Sequence, residues 1–211
     1  MGLLTIIRKT RLKEKQIRVL MLGLDNAGKT TIVKRILGED VNEVSPTLGF
    51  NIRTIMHQGY SLNVWDIGGQ TSLRPYWRNY FETTDAVIWV VDSSDRERME
   101  DCRRELRELL QEERLAGASL LVFANKQDIA GGMTSEEISE ALQLPLLVSH
   151  TSHIQACSAR SASTTEGDQR IWDGLDWVVK EVARRVYYGT GGGMPMASEV
   201  QEKVESSSAT A

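Results

Sequence analysis

The stretch GLDNAGKT at residues 23–30 constrains this chain more than any other. Its spacing, G-x-x-x-x-G-K-[ST], is typical of a glycine-rich loop whose backbone N–H groups surround phosphate oxygens while the lysine reaches the β- and γ-phosphates. An apolar run at 17–22 precedes the stretch, and a helically spaced segment that ends near Gly38 follows it. We therefore interpret 23–30 as a phosphate-binding loop rather than a chance turn, with Lys29 as its cation and Thr30 as a Mg²⁺ ligand.

Apolar strand candidates alternate with helical stretches along most of the chain. The predicted strands are 17–23, 51–57, 60–67, 86–92, 119–124 and 153–157, and the predicted helices are 29–37, 95–115, 134–142 and 171–187. This order predicts an α/β fold in which helices cover both faces of a six-stranded, mostly parallel sheet. Only residues 57–59 separate the second and third strands, so these two strands are predicted to be antiparallel. TSEE at 134–137 has the spacing of a helix capping box.

Composition and charge limit the class of protein. With 211 residues, 41% of them hydrophobic, the chain suits one monomeric domain with a full core. Its net charge of −4 argues against a nucleic-acid-binding protein. The two cysteines fit neither a metal site nor a disulfide, and no apolar run is long enough to span a bilayer, so we expect a reducing compartment such as the cytosol.

We divide the chain into an N-terminal amphipathic helix (1–15), a nucleotide-binding domain (16–188) and a disordered C-terminal tail (189–211).

A second group of candidate site residues lies in WDIGGQ at 65–70. By strand parity, the Asp66 carboxylate should emerge at the carboxyl end of its strand, where open α/β sheets bind ligands, and it would hold Mg²⁺ there. Gly68 and Gly69 would let backbone N–H groups approach a terminal phosphate, and Gln70 would orient a water molecule for in-line attack. Taken alone, this pattern is a weak indicator, because most such stretches are turns.

The stretch NKQD at 125–128 indicates which base is bound. A carboxylate at Asp128 can accept hydrogen bonds from guanine N1–H and N2–H₂, whereas adenine offers no matching pair of donors. Asn125 would tie the loops together, and the aliphatic stem of Lys126 would cover the face of the base. This stretch, and the lack of a site for a second substrate, argue against a P-loop nucleotide kinase.

In order, GLDNAGKT, SPTLGFN, WDIGGQ, NKQD and CSA resemble the motifs of small GTPases of the ADP-ribosylation factor family over about residues 1–187. The resemblance implies a P-loop small GTPase fold, GTP/GDP and Mg²⁺ as ligands, and a cytoplasmic protein that hydrolyses GTP slowly without a GAP. It further implies an exchange factor, effectors that bind the GTP state, and a link to microtubules through tubulin-folding cofactor D and to carriers of lipidated proteins.

The resemblance also assigns roles to single residues. It implies that Thr47 completes Mg²⁺ coordination, that the Gly69 N–H contacts the γ-phosphate, that Thr31 touches the α-phosphate, and that Gln70 is the catalytic glutamine. Ser158 and Ala159 would lie over the guanine. The implied nucleotide-binding residues are Gly23, Asp25, Asn26, Ala27, Gly28, Lys29, Thr30, Thr31, Thr47, Gly69, Asn125, Lys126, Asp128, Ser158 and Ala159, and the implied metal ligands are Thr30, Thr47 and Asp66. The polar loop at 160–170 is longer than is usual in the family.

Three questions stay open at the level of sequence. The apolar sector of residues 2–15 either covers a groove of the protein itself or makes weak membrane contact; Ile6 breaks the myristoylation pattern M-G-x-x-x-[ST]. Trp65 either packs in the interior or, as the resemblance implies, joins Phe50 and Tyr80 in an aromatic patch that effectors contact. The protein is either a cycling switch, which Gln70 favours, or a non-cycling GTP-bound component of a tubulin chaperone complex.

Overall fold

A computed structural model describes residues 14–160 and 168–187 of the chain. Almost all of the predicted amphipathic helix, most of the polar loop at 160–170 and the predicted tail at 189–211 lie outside these ranges. Within them, no helix is long and apolar enough to cross a membrane.

Six strands form one sheet, as predicted. They are β1 (Gln16–Leu22), β2 (Phe50–His57), β3 (Tyr60–Ile67), β4 (Ala86–Asp92), β5 (Ser119–Asn125) and β6 (Ser152–Ala156), in the spatial order β2-β3-β1-β4-β5-β6. Every neighbouring pair is parallel except β2 and β3, which are antiparallel with Phe50 opposite Ile67. The carboxyl ends of the five parallel strands therefore share one edge of the sheet, where such sheets bind ligands.

Helices connect these strands. They are α1 (Lys29–Ile36), α2 (Met99–Leu110), α3 (Ser135–Ala141) and α4 (Gln169–Val182), and α4 continues into a π-helical turn over Ala183–Tyr187. The predicted capping box is confirmed, because Thr134 Oγ1 accepts from the Glu137 N–H and the Glu137 carboxylate accepts from the Thr134 N–H.

Several helix boundaries differ from the predictions: the helix predicted at 171–187 begins at Gln169 and is α-helical only to Val182, and the one predicted at 95–115 differs more. The predicted helix at 95–115 is too long, since α2 begins at Met99 after a turn in which the Asp95 carboxylate accepts from the Arg98 N–H. Beyond Leu110 the chain forms only a short 3-10 turn, Glu113–Leu115. A seven-residue 3-10 helix at Arg74–Tyr80 was not predicted, although Pro75 in its first turn suits a helix start.

Both faces of the sheet are buried, as a parallel sheet requires. On one face, Ile17, Val19 and Met21 of β1 pack with residues of α1 and α4. On the other face, Leu20 and Leu22 pack with residues of α2 and α3. The edge strand β2 contributes little to either core, since Ile55 is its one buried residue. The interior thus fixes the carboxyl ends of β1, β4 and β5, and leaves β2 held mainly by its pairing with β3.

Candidate nucleotide and magnesium site

A cleft of about 300 Å³ opens at the carboxyl ends of β1 and β3. Its lining combines the glycine-rich loop, the segment before β2 and the segment after β3. The lining residues are Asp25, Asn26, Gly28, Lys29, Thr30, Thr31, Val44, Ser45, Pro46, Thr47, Gly68, Gly69, Gln70 and Arg160. The cleft therefore brings together stretches that are far apart in sequence and that were predicted separately as phosphate and metal ligands.

Two glycines allow the close approach of these segments. Gly28 precedes α1 with φ +97°, and a Cβ atom there would lie 2.3 Å from Asn125 Nδ2. Gly69 packs against the glycine-rich loop, where a Cβ atom would lie 2.4 Å from the Gly23 carbonyl oxygen. A side chain at either position would force backbone or a buried amide to move, so the motif needs glycine here for steric reasons.

Lys29 is buried at the start of α1 and points back over the glycine-rich loop. Its Nζ donates to the carbonyl oxygens of Gly23 (2.9 Å) and Leu24 (2.8 Å). Burial lowers the pKa of Lys29 to about 8, although the negative charge of Asp66 acts in the opposite direction. A desolvated ammonium of this kind gains strongly from an anion in the cleft.

Three oxygen-bearing side chains converge beside Lys29. Thr30 Oγ1 lies 2.8 Å from Thr47 Oγ1 and donates to Asp66 Oδ2 at 2.7 Å. The second carboxylate oxygen, Asp66 Oδ1, is buried and has no hydrogen-bond partner in the part of the chain that the structure describes. Burial raises the pKa of Asp66, while the bond from Thr30 and the charge of Lys29 act to lower it. One carboxylate and two hydroxyls are hard oxygen ligands, and they fit a Mg²⁺ ion that keeps several waters.

The segment after β3 is held by two side chains of the unpredicted 3-10 helix. Trp77 Nε1 donates to the Gly68 carbonyl (3.0 Å), and Arg74 Nε donates to the Gly69 carbonyl (3.1 Å). Arg74 also pairs with Glu105 at 2.9 Å; its side chain is 12% exposed, and its guanidinium is occupied by these structural contacts. Gln70 lines the cleft, and its buried Oε1 has no hydrogen-bond partner among the described residues.

Asn125 joins the loops around the site. Its Nδ2 donates to the Ala27 carbonyl at 2.8 Å, and its Oδ1 accepts from the Ala159 N–H at 3.0 Å. One buried amide therefore fixes the glycine-rich loop relative to the CSA segment at 157–159. Neither Asn125 nor the other predicted base-binding residues line the 300 Å³ cleft; they form a separate cluster beside it.

That neighbouring cluster contains the predicted base-binding residues. Ser158 Oγ donates to Asp128 Oδ1, and the Asp128 side chain is exposed. Lys126 Nζ lies 2.6 Å from Asp92 Oδ2. Burial acts to raise the pKa of Asp92, but hydrogen bonds from Lys126 and Ser94 outweigh it and the pKa is lowered. Asp92 thus holds the ammonium of Lys126 at the end of β4.

Comparisons with known proteins agree with this geometry. The sequence model described as ADP-ribosylation factor family matches residues 3–182. The chain belongs to the ADP-ribosylation factor family. Proteins named ADP-ribosylation factor-like protein 2 are similar to it: the one from Dictyostelium discoideum is 58% identical over 187 residues, or 89% of this chain and 98% of that protein. The Arabidopsis thaliana and Drosophila melanogaster proteins are 57% and 53% identical, each over 89% of this chain and 98% of the relative.

A solved structure shares the fold. It is the Arl6 BBS3 small GTPase from Trypanosoma brucei with bound nucleotide analogue GppNp, with a TM-score of 0.70 and 32% identity over 81% of this chain and 99% of that chain. Membership of the ADP-ribosylation factor family makes this chain a GTP-binding switch protein of a class that hydrolyses GTP and generally binds Mg²⁺ with the nucleotide.

In this family member, three aromatic rings pack together on the outer side of the β2–β3 hairpin. Phe50 stacks on Trp65 with ring centroids 5.5 Å apart, and Tyr80 lies 5.2 Å from Phe50 and 5.7 Å from Trp65. The Arg18 guanidinium covers the Trp65 ring at 4.3 Å, while Phe50 is 45% exposed. The predicted aromatic patch (Phe50, Trp65, Tyr80) therefore exists as a cluster, partly buried and partly open to solvent.

Sequence reasoning missed several residues that shape the site. Asp168 begins α4 and accepts from the Ser158 N–H at 2.6 Å, so it fixes the CSA segment. Arg98 pairs with Asp25 at 3.1 Å and holds the glycine-rich loop from the side of α2. Arg160 lines the cleft directly after CSA. The position of Arg160 next to a predicted motif and the preference of aspartate for helix starts at Asp168 were the available signals, whereas Arg98 had no signal at short range.

Proposed function

We propose that this protein is a GTP-binding molecular switch that slowly hydrolyses GTP to GDP and recruits effectors in the GTP state. The observation that carries the proposal is the convergence of a buried lysine with three oxygen ligands in one cleft. Thr30, Thr47 and Asp66 come from three separate stretches of sequence and meet within hydrogen-bond distance, and the Asp66 carboxylate acts electrostatically on the buried Lys29. Cation, metal ligands and glycine-rich backbone are the components that a nucleoside triphosphate requires.

In this proposal the phosphates lie on the glycine-rich loop, with Lys29 beside the β- and γ-phosphates and Thr31 beside the α-phosphate. Thr30, Thr47 and Asp66 would hold Mg²⁺, which neutralises charge on the β- and γ-phosphate oxygens. Asp66 Oδ1 supports this role, because a buried carboxylate oxygen without a partner is costly unless a ligand satisfies it. The Gly69 N–H would contact the γ-phosphate.

The base lies against the second cluster. Asp128 would accept from guanine N1–H and N2–H₂, while Ser158 keeps its carboxylate in place from below. Lys126 would cover one face of the base with its stem, since its ammonium is bound to Asp92. Asn125 would transmit the position of the base loop to the phosphate loop through Ala27.

Hydrolysis would depend on Gln70. Its side-chain amide can accept a hydrogen bond from an attacking water and donate one to it, so that the water is aligned with the γ-phosphate. Arg74 is engaged by Gly69 and Glu105, so its guanidinium is not available to stabilise the transition state. We therefore propose a slow intrinsic reaction that a GAP accelerates, with a separate exchange factor to release GDP.

The proposed partners follow from the aromatic patch and from likeness to ADP-ribosylation factor-like protein 2. Effectors would bind at Phe50, Trp65 and Tyr80. Phe50 follows Thr47, Trp65 precedes Gly68, and Tyr80 ends the 3-10 helix that holds Gly68 and Gly69, so all three would follow the state of the site. We propose that the protein is cytoplasmic and monomeric, acts with tubulin-folding cofactor D and microtubules, and serves carriers of lipidated proteins. Any membrane contact through residues 2–15 would be weak.

The test measures binding and turnover on one preparation. Fluorescent GTP and GDP analogues are titrated with and without Mg²⁺, with the ATP analogue as control, and single-turnover hydrolysis of GTP is then followed. We expect guanine-selective binding, a larger Mg²⁺ effect on GTP than on GDP, and slow hydrolysis. Tight GTP binding without any turnover, even with a GAP, would favour the alternative of a non-cycling GTP-bound component of a tubulin chaperone complex. Equal binding of ATP would contradict the guanine assignment.

A further inference from the structure

A second cavity lies far from the nucleotide site, between α2 and the segment that follows α3. It measures about 330 Å³, and leucines from both sides line it, among them Leu106, Leu110 and Leu144. At its rim the side chains of Leu146 and Val148 are 73% and 98% exposed. We name this feature the leucine groove. An apolar groove with exposed apolar residues at its rim is typical of a surface that another segment covers.

Charge at the groove points to an acidic occupant. Arg103 and Arg107, one helical turn apart on α2, both line the leucine groove. Arg103 pairs with Glu100 at 2.6 Å, whereas no carboxylate of the described ranges lies within ion-pair distance of Arg107. An apolar segment flanked by carboxylates would therefore match the groove in both hydrophobicity and charge.

Residues 194–205 of this chain, MPMASEVQEKVE, have that character. Met196, Val200 and Val204 recur at intervals of four, so one face can present all three, and Glu199 and Glu202 lie beside them. The family match covers residues 3–182, so this segment lies beyond the matched domain. Its composition still predicts a disordered tail, and such segments can order locally on binding.

A series of contacts connects the last described turn of the chain to the groove. The described chain ends at Tyr187, and Arg185 in the same turn donates to the Asp85 carbonyl and lies beside Gly117. From there the contacts continue through His150, which bonds the Leu115 carbonyl at 3.1 Å, to Ser149, which lines the groove. The nine residues to Met196 can span up to about 30 Å, and a glycine-rich linker of that length gives an effective concentration of about millimolar.

We propose that the leucine groove is the docking site of the chain's own C-terminal segment, residues 194–205. The Met196, Val200 and Val204 side chains enter the groove, and Glu199 or Glu202 pairs with Arg107. Docking is intramolecular, so a weak contact suffices, and any partner for this face must displace the segment. The nucleotide site takes no part, and GTP binding serves only to show that each variant is folded.

The test is cysteine cross-linking in the full chain with a short bismaleimide. Val148→Cys at the groove rim is combined with Val204→Cys; the matched control combines Val204→Cys with Met56→Cys, an exposed position on β2. Cys102 and Cys157 are buried, and burial raises the pKa of both thiols, so they do not compete. We expect at least a fivefold higher yield of internal link for the groove pair, independent of protein concentration.

Charge reversal then tests the orientation. Arg107→Glu should lower the yield at least threefold, and adding Glu199→Arg together with Glu202→Arg should restore it. Equal yields for the groove pair and the Met56 control would overturn the proposal. Links that form only between two chains, with a yield that rises with concentration, would also overturn it and would assign the groove to a second copy.

Discussion

The phosphate side and the base side of the site differ in how completely their polar groups are paired. On the base side, Asn125 bonds both Ala27 and Ala159, Ser158 bonds Asp128, and Lys126 is paired with Asp92. On the phosphate side, Asp66 Oδ1 and Gln70 Oε1 are buried without partners among the described residues. Lys29 is desolvated there and its pKa is lowered.

This difference separates two tasks. The base side is organised before a ligand arrives, so it selects which nucleotide binds and loses little order when the nucleotide leaves. The phosphate side keeps unsatisfied buried groups, each of which favours a state with ligand, so it responds to what is bound. Substitutions on the base side should therefore change specificity, and substitutions on the phosphate side should change turnover and metal dependence.

The largest expected effect is on turnover. Gln70→Leu should leave GTP affinity nearly unchanged and reduce single-turnover hydrolysis on the order of 10³-fold, because leucine fills similar space but cannot orient the water. The measurement is GTP hydrolysis with and without a GAP, beside a direct affinity measurement. Gln155→Leu, whose side chain bonds only a carbonyl on β6, is the matched control and should hydrolyse normally. Hydrolysis at the parental rate would remove Gln70 from the mechanism.

The base side is tested by Asp128→Asn, which should lower GTP affinity by about 100-fold and raise affinity for xanthosine triphosphate, because the amide donates where the carboxylate accepted. The amide oxygen can still accept from Ser158, so the cluster should keep its structure. Competition binding with both nucleotides measures the shift, and Asp173→Asn on α4 serves as control. Unchanged GTP affinity, or loss of both nucleotides with lower thermal stability, would contradict a role confined to base recognition.

Local patterns predicted the sheet, since strand parity and the spacing of glycines act over short distances. Asp66 is an example: its parity on β3 sufficed to predict that its carboxylate reaches the ligand edge. The antiparallel pairing of β2 with β3 followed from the three-residue connection alone.

What the sequence did not reveal depends on contacts between distant segments. Arg74 and Trp77 hold Gly68 and Gly69 through a 3-10 helix whose hydrogen bonds have no clear periodic signature. The turn before α2 was missed because it depends on the Asp95 carboxylate accepting from the Arg98 N–H, and the charged residues 95–98 have no spacing that separates a turn from a helix. The pairing of Lys126 with Asp92 joins two strands through tertiary structure, so no local pattern encodes it.

A smaller effect is expected when the proposed Mg²⁺ ligand Thr30 is replaced, and it should differ between GTP and GDP. Thr30→Asn should weaken GTP binding about tenfold more than GDP binding, because the longer amide would replace the hydroxyl that would hold Mg²⁺, and the triphosphate depends more on the charge that Mg²⁺ would neutralise. Competition between the two nucleotides at saturating Mg²⁺ measures the ratio. Thr54→Asn on β2, where the threonine bonds Asn63, is the control. Equal losses for GTP and GDP would show that Thr30 does not act through the metal.

The smallest expected effect is a dependence of affinity on pH that belongs to the phosphate side alone. The pKa of Lys29 in the free protein is about 8, and bound phosphate should raise it, so the free protein must take up a proton to bind nucleotide above pH 8. GTP affinity should therefore fall about threefold from pH 7.5 to pH 8.5. Over the same interval the stability of the free protein should rise, because the unfolded state, with lysine near its ordinary pKa, binds more protons.

Lys29→Arg keeps its charge throughout this range and should bind GTP with a flat pH profile, while Lys34→Arg outside the cleft should keep the parental slope. If Lys29→Arg showed the same slope, the pH dependence would belong to other groups. Lys29 would then contribute no electrostatic difference between the phosphate side and the base side.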